Sequence, residues 1–131
     1  MKIGFDYWNV ISHYPQEIAY IIDAFGLQGE SELHVISAIG KGRIGTIAKE
    51  VAQSLASDRL EDPLGVLKVH EVVTGNGKKS PELKLEKCKE LGITMFFDDR
   101  QDVCDLLSAN GILAFKVPRK TKSTDEGGER E

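Results

Sequence analysis

The sequence has no long hydrophobic run, no excess of positive charge and little cysteine. No apolar run approaches the roughly 20 residues that a membrane-spanning helix needs, and the apolar residues before Asp6 are too few for a cleavable leader. The formal net charge of -4 argues against a general nucleic-acid or membrane-surface binder, which would need a basic field, although a local basic pocket stays possible. We therefore expect a cytoplasmic protein with no membrane partner.

Clusters of cysteine and histidine with metal-ligand spacing are missing as well. Cys88 and Cys104 lie far apart in helical patterns, which predicts two buried, reduced thiols. His13, His34 and His70 show no metal-ligand spacing either, so we interpret them as structural or surface residues.

The 131 residues are 40% hydrophobic and 29% charged, which suits one domain with a real core. Five apolar segments alternate with helical patterns: KIGF, ELHVISAIG, GVLKVHEVV, ITMFFDD and ILAFKVP between PQEIAYIIDAFGLQG, RIGTIAKEVAQSLAS, SPELKLEKCKELG and RQDVCDLLSANG. Strict alternation predicts a single-domain, Rossmann-like three-layer α/β/α fold with a five-stranded parallel sheet over residues 1–118. We expect Ser80 to cap the third helix. Residues 119–131 are polar and are expected to form a disordered tail.

Acidic side chains follow two of the predicted strands, at the point where each strand ends. Asp6 follows the first strand, and Asp98 and Asp99 follow the fourth. Ligands of such sheets bind beyond the carboxyl ends of the strands, where the strand order reverses. If these two strands are neighbours, the acids meet, and carboxylates that meet in this way suit Mg²⁺. Alternatively, the acids cap the following helices, which explains Asp99 better than Asp6.

Three segments, taken in order, carry a resemblance to a known family. IGFDYWNVI, HVISAIG and KLEKCKELGITMFFDD resemble the four motifs of the haloacid dehalogenase-like (HAD) superfamily of phosphatases and phosphotransferases. The motifs span the chain up to about Pro118, and the gaps between them leave no room for a cap domain. The chain therefore looks like a small, capless nucleotidase-like or phosphatase-like member with a degenerate first motif.

The resemblance implies a role for each matching residue. Asp6 would be the nucleophile that forms an aspartyl-phosphate and would also bind Mg²⁺. Ser37 would bind the transferring phosphoryl group, with Ala38 beside it, and Lys84 would offset the negative charge. Lys78 and Lys79 precede the same helix and are alternatives to Lys84 as the active-site lysine. A third alternative makes Lys84 an ordinary solvated helix residue.

The resemblance also implies a set of metal ligands. Asp98 would bind Mg²⁺ directly, Asp99 would act as its partner through water, and the backbone carbonyl of Trp8 would complete the set with Asp6.

Trp8 stands where the phosphatases of this family have a second aspartate, which protonates the leaving group. An indole cannot transfer a proton in that role. The prediction is a Mg²⁺-dependent phosphohydrolase that acts on a phosphate monoester, nucleotides included. Its partner would be a small phosphorylated substrate or a nucleic-acid or nucleotide end. One alternative is a protein whose phospho-aspartate persists, and another is a degenerate relative that binds metal or phosphate without turnover. Trp8 would either stack on a substrate ring or pack over the pocket mouth.

The segment GKGRIG is a competing signal, because it has the G-x-G-x-x-G spacing of a dinucleotide-binding loop at Gly40, Gly42 and Gly45. It follows the second strand rather than the first, which weakens that interpretation. A second interpretation is that the loop amides, with Lys41 or Arg43, bind a phosphate near Ser37, so Arg43 is also a candidate substrate-binding residue. A third is an ordinary surface loop.

Overall fold

The apolar segments form five parallel strands in the order β3-β2-β1-β4-β5, in a computed structural model that describes residues 1–120. The strands are β1 (Lys2–Phe5), β2 (Glu32–Ile39), β3 (Leu67–Val73), β4 (Met95–Asp98) and β5 (Leu113–Lys116). The α-helices are α1 (Pro15–Ile22), α2 (Ile47–Leu55), α3 (Pro63–Val66), α4 (Ser80–Leu91) and α5 (Gln101–Ala109). The predicted Rossmann-like α/β fold is confirmed. From residue 121 onward, the predicted tail lies outside the described residues.

Helices cover both faces of the sheet and create two apolar cores. The core on the side of α1 and α2 contains Phe5, Ile22 and Ile47, whereas the core on the side of α4 and α5 contains Phe96 and Leu107. Because both faces are covered, β2 is buried along nearly its whole length and its sequence is almost continuously apolar. Within residues 1–120, no helix combines the length and apolarity needed to cross a bilayer.

Several local features differ from the sequence-based expectation. The first helix ends as an α-helix at Ile22 and continues as a wider π-helical turn over Asp23–Leu27. The sequence patterns did not predict the turn at Tyr7–Ile11, the short helix α3 or the 3₁₀ turn at Lys41–Arg43. The prediction that Ser80 caps the third helix was wrong by one residue, because the N-cap is Lys79. The Glu82 carboxylate accepts a hydrogen bond from the Lys79 amide at 3.1 Å, which fixes this start.

The cysteines and His34 lie in the interior, and His70 is half-buried beside His34. Cys88 and Cys104 are free and buried, as predicted, and burial raises the pKa of Cys88 to about 12 and that of Cys104 to about 11. His34 is buried between two partners: its Nδ1 lies 2.9 Å from Nε2 of His70, and its Nε2 lies 2.7 Å from Oε1 of Glu32. The histidines therefore pair across neighbouring strands, which their sequence spacing did not predict.

The register of the central strands fixes what lies at the carboxyl edge of the sheet. Phe5 of β1 pairs with Phe97 of β4, so the residues that follow them emerge side by side. Strand β1 has β2 on one side and β4 on the other, so the strand order reverses here. In sheets of this kind, the crevice at the reversal is the usual place for a ligand.

Candidate functional site

Three buried aspartates meet at this crevice. Asp6 follows β1, and its amide donates a hydrogen bond to the carbonyl of Phe97 at 2.9 Å, which ties it to β4. Asp98 is the last residue of β4, and Asp99 follows it. Each of the three offers one carboxylate oxygen within 4.8 Å of the others. Asp6 and Asp98 therefore lie together, as expected for acids that end neighbouring strands.

Lys84 reaches the aspartates from α4, on one face of the sheet. Ser80, Lys84 and Cys88 are spaced four residues apart and form the buried stripe of this helix. The Lys84 Nζ lies 3.2 Å from Oδ1 of Asp6 and donates a hydrogen bond to Oδ2 of Asp98 at 2.7 Å. Burial lowers the pKa of Lys84, but the charges of the two aspartates outweigh burial and raise this pKa above its usual value.

The three candidate lysines thus occupy different positions. Lys84 is only 2% exposed and contacts the acids, so the alternative of a solvated helix residue was wrong. Lys78 and Lys79 are exposed and line a neighbouring cleft. The geometry places Lys84 as the cation beside Asp6; whether it acts in a reaction stays a prediction.

When both are ionised, Asp6 and Asp98 carry more negative charge than the single positive charge of Lys84 offsets. Burial raises the pKa of Asp6 well above its usual value, against the effect of Lys84, and Asp98 and Asp99 raise it further. Burial also raises the pKa of Asp98, although Lys84 opposes this change and the Arg100 amide donates a hydrogen bond to Oδ1 of Asp98 at 3.0 Å. An additional cation at this point would stabilise the ionised carboxylates.

Asp99 is held by two residues that the sequence patterns did not single out. Its Oδ2 accepts hydrogen bonds from Nδ2 of Asn9 at 3.2 Å and from Nε of Arg119 at 2.7 Å. Burial acts to raise the pKa of Asp99, but Arg119 outweighs it and holds this pKa below its usual value. Among the described residues, the buried Oδ1 of Asp99 has no hydrogen-bond partner. Asn9 has a φ of 64°, in the left-handed region that asparagine tolerates. Its residue type is therefore compatible with this backbone position.

The cluster has the properties of a site for a small, hard cation. It offers carboxylate oxygens, which Mg²⁺ prefers, and one of them is the unpartnered Oδ1 of Asp99. A cavity of about 10 Å³, large enough for a single water-sized species, lies beside Asp6 and Asp99, whereas Asp98 does not line it. Its lining residues are Asp6, Trp8, Ala38, Ser80, Lys84, Asp99 and Arg100. The residues could therefore hold a divalent cation.

Trp8 lies at this cavity and packs against two neighbours. The Arg43 guanidinium carbon lies 5.3 Å from the centre of the Trp8 ring, and the Tyr7 ring meets it edge-on with centroids 4.9 Å apart. Among residues 1–120, the buried Nε1 of Trp8 has no hydrogen-bond partner. Ala38 lines the cavity, whereas Ser37 is fully buried, is not a lining residue, and its hydroxyl oxygen is without a partner in the described part of the chain. The predicted substrate-binding residues therefore converge around Trp8, except Ser37.

The glycine-rich loop after β2 already has an anionic partner. The Glu71 carboxylate of β3 accepts hydrogen bonds from the Gly45 amide at 2.8 and 3.0 Å and from the Ile47 amide at 3.1 Å. A phosphate would need these same amides at the start of α2. A dinucleotide or a substrate phosphate would have to displace the Glu71 carboxylate to bind these amides, so both interpretations stay predictions.

Comparison with known proteins leaves the family open. No family model matches the chain, and no curated protein matches it. Among solved structures, a hexameric APS kinase from Thiobacillus denitrificans aligns with 98% of this chain at 12% sequence identity and a TM-score of 0.47. The chain spans 29% of the length of that protein. At these values the similarity assigns no function.

Proposed function

We propose that the protein is a Mg²⁺-dependent phosphohydrolase that cleaves a phosphate monoester through an aspartyl-phosphate on Asp6. The observation that carries the proposal is the buried group formed by Asp6, Asp98 and Asp99 around Lys84, at the point where the strand order reverses. Phosphoryl transfer depends mostly on positioning and on the neutralisation of charge, and this cluster combines a carboxylate nucleophile with a fixed cation.

The chain's own residues supply most of the chemistry. A carboxylate oxygen of Asp6 forms a bond to phosphorus while the ester bond breaks, and the leaving group departs with the bond's electron pair. Water then attacks phosphorus, which releases inorganic phosphate and regenerates the Asp6 carboxylate. Lys84 stays protonated throughout and offsets charge on Asp6 and the phosphoryl group. Mg²⁺, held by Asp6, Asp98, Asp99 and the Trp8 carbonyl, would supply further positive charge to the phosphate oxygens.

Trp8 limits which esters this site can cleave quickly. It lines the cavity beside Asp6, but its indole N–H is too weakly acidic to protonate a departing oxygen. General acid–base assistance contributes about 10²–10⁴-fold to a rate. The favoured substrates are therefore esters and anhydrides whose leaving groups depart as stable anions, such as aryl and acyl phosphates.

A second candidate function follows from the same residue. Because Trp8 replaces the proton donor, a protein that binds metal or phosphate without turnover would also have this arrangement. Such a protein would bind Mg²⁺ at the three aspartates and would release no phosphate from any ester.

An assay with p-nitrophenyl phosphate, with and without Mg²⁺, separates the two candidates. We expect Mg²⁺-dependent release of p-nitrophenol, lost by at least about 100-fold in Asp6→Asn and retained in the matched control Asp105→Asn on the exposed face of α5. Release that survives Asp6→Asn would overturn the mechanism. Mg²⁺ binding without release of phosphate from any ester would establish the second candidate.

A further inference from the structure

A cleft of about 320 Å³ opens beside the small cavity at Asp6. Thr74, Gly75, Lys78, Lys79, Ser80 and Arg100 line it. Ser80 and Arg100 also line the cavity, so the two spaces adjoin. The cavity, at about 10 Å³, is too small for more than an ion or a water molecule, and a substrate's leaving group needs this larger space.

The cleft is positively charged in a chain whose formal net charge is -4. No carboxylate is among its lining residues. Lys79 has no ion pair within residues 1–120, and Lys78 pairs with Glu86 at 2.5 Å on the exposed surface. Lys41 adds a further cation at the edge, because its Cε lies 3.5 Å from where a β-carbon at Gly75 would be.

A larger cleft on the other side of the site lacks this excess of positive charge. Its volume is about 480 Å³, and it is lined by Asp99, Arg100, Gln101, Asp102, Lys116 and Arg119. Two of its cations already bind carboxylates, because Arg100 pairs with Asp102 and Arg119 pairs with Asp99, each at 2.7 Å. Arg100 lines both clefts, so the difference lies in the lysines that have no ion pair among the described residues. These are Lys116 at the larger cleft, and Lys79 with the nearby Lys41 at the smaller one. An anionic group therefore finds more uncompensated positive charge in the cleft at Lys79.

We propose that the substrate carries a second phosphate on its leaving group and that Lys41 and Lys79 bind this second phosphate in the cleft beside Ser80. This inference rests on the proposed function, since it places the scissile phosphate at Asp6. Ammonium groups bind phosphate through charge-assisted hydrogen bonds, which favours a doubly phosphorylated substrate over a singly phosphorylated one. Adenosine 3′,5′-bisphosphate and a 5′-phosphorylated dinucleotide present this pair of phosphates and serve here as binding probes. Their alkyl leaving groups make them slow substrates at a site without a proton donor.

Equilibrium binding tests the proposal without turnover, because Trp8 is the only tryptophan in the chain and lies at the cavity. The ligands are adenosine 3′,5′-bisphosphate and adenosine 5′-monophosphate, titrated by Trp8 fluorescence into Asp6→Asn with Mg²⁺. We expect the bisphosphate to bind roughly tenfold more tightly than the monophosphate. The double variant Lys41→Ala/Lys79→Ala should lose this preference. The matched control Lys68→Ala/Lys89→Ala removes two exposed lysines elsewhere and should keep it.

Equal dissociation constants for the two nucleotides, or a preference that survives Lys41→Ala/Lys79→Ala, would overturn the proposal. A 5′-phosphorylated dinucleotide is titrated in the same way. A dissociation constant equal to that of the bisphosphate identifies an oligonucleotide end as the source of the second phosphate. A larger dissociation constant identifies a small bisphosphate. The p-nitrophenyl phosphate assay is independent of this preference. A catalytic failure there and a binding failure here are therefore distinguishable.

Discussion

The ammonium nitrogen of Lys84 lies 2.7 Å from Oδ2 of Asp98, and both side chains are buried beneath the carboxyl edge of the sheet. Removing one partner of such a pair leaves an uncompensated buried charge, which typically costs about 3–5 kcal/mol. We expect Lys84→Met to lower the free energy of unfolding by this amount in urea denaturation. Lys89→Met, on the exposed side of the same helix, should change it by less than about 0.5 kcal/mol. Equal effects of the two substitutions would show that the pair contributes nothing.

Mg²⁺ should stabilise the folded protein through the same cluster. A ligand that binds only the folded state adds about 2.7 kcal/mol at one hundred times its dissociation constant. We expect Tm to rise with Mg²⁺ in the wild type and in Asp105→Asn, and to rise much less in Asp99→Asn, which alters the unpartnered oxygen of Asp99. A Tm that does not change with Mg²⁺ in calorimetry would contradict Mg²⁺ binding at the three aspartates.

Replacing Trp8 by an acid should restore proton donation to the leaving group. We expect Trp8→Asp to raise kcat/KM for an alkyl phosphate by about 10²-fold or more, with a much smaller effect on p-nitrophenyl phosphate, whose leaving group needs no proton. Trp8→Asn removes the indole without adding an acid and is the matched control. If both variants gain equally on the alkyl phosphate, the indole blocks access and the missing acid is not the limit.

Gly4 should tolerate no side chain, because it faces the ring of Phe96 across the β1–β4 pair. A β-carbon there would lie 2.5 Å from Cδ1 of Phe96, which is fully buried. Overpacking of this kind costs about 1–3 kcal/mol, so Gly4→Ala should lower the midpoint of urea denaturation. Gly40→Ala, where no atom lies within 4 Å of the added carbon, should not. A midpoint unchanged in both variants would contradict the packing described.

His70 should make stability depend on pH. Burial, followed by the neighbouring His34, lowers the pKa of His70 below its usual value. The unfolded chain therefore takes up a proton at a higher pH than the folded one, and stability falls as pH drops through about 6.5. We expect urea denaturation at about pH 7.5 and about pH 5.5 to show a smaller loss of the free energy of unfolding in His70→Gln than in the wild type. An equal loss of stability in His70→Gln and in the wild type would contradict this prediction.

The sequence predicted the parts of this molecule that depend on local pattern. Alternating apolar segments and helical patterns define the five strands, and parallel strands bring their carboxyl ends to one edge. The sequence therefore predicts that Asp6 and Asp98 meet if β1 and β4 are neighbours, and the pairing of Phe5 with Phe97 meets that condition. The sequence also shows the four-residue spacing of the buried side of α4. It does not show that Lys84 belongs to that side. Helical lysines are usually solvated, and only the acids above Lys84 account for its burial.

The contacts that escaped prediction join residues far apart in the chain. Arg119 binds Asp99 across 20 residues, and Glu71 of β3 accepts hydrogen bonds from the loop after β2. His34 and His70 meet because β2 and β3 are neighbours. Such pairs depend on which strands adjoin and in what register, and no local propensity encodes that information.

The hydrogen bond from Arg119 to Asp99 has a consequence for how this protein is shortened or fused. Arg119 follows the last strand, just beyond Pro118, whose carbonyl accepts a hydrogen bond from the Tyr14 hydroxyl at 2.5 Å. A fragment trimmed at Pro118 would retain all five strands and both apolar cores. It would nevertheless lose the guanidinium that donates a hydrogen bond to the Asp99 carboxylate at 2.7 Å and lowers its pKa. A truncation or a carboxyl-terminal tag should therefore be placed beyond Arg119, so that the hydrogen bond to Asp99 is kept.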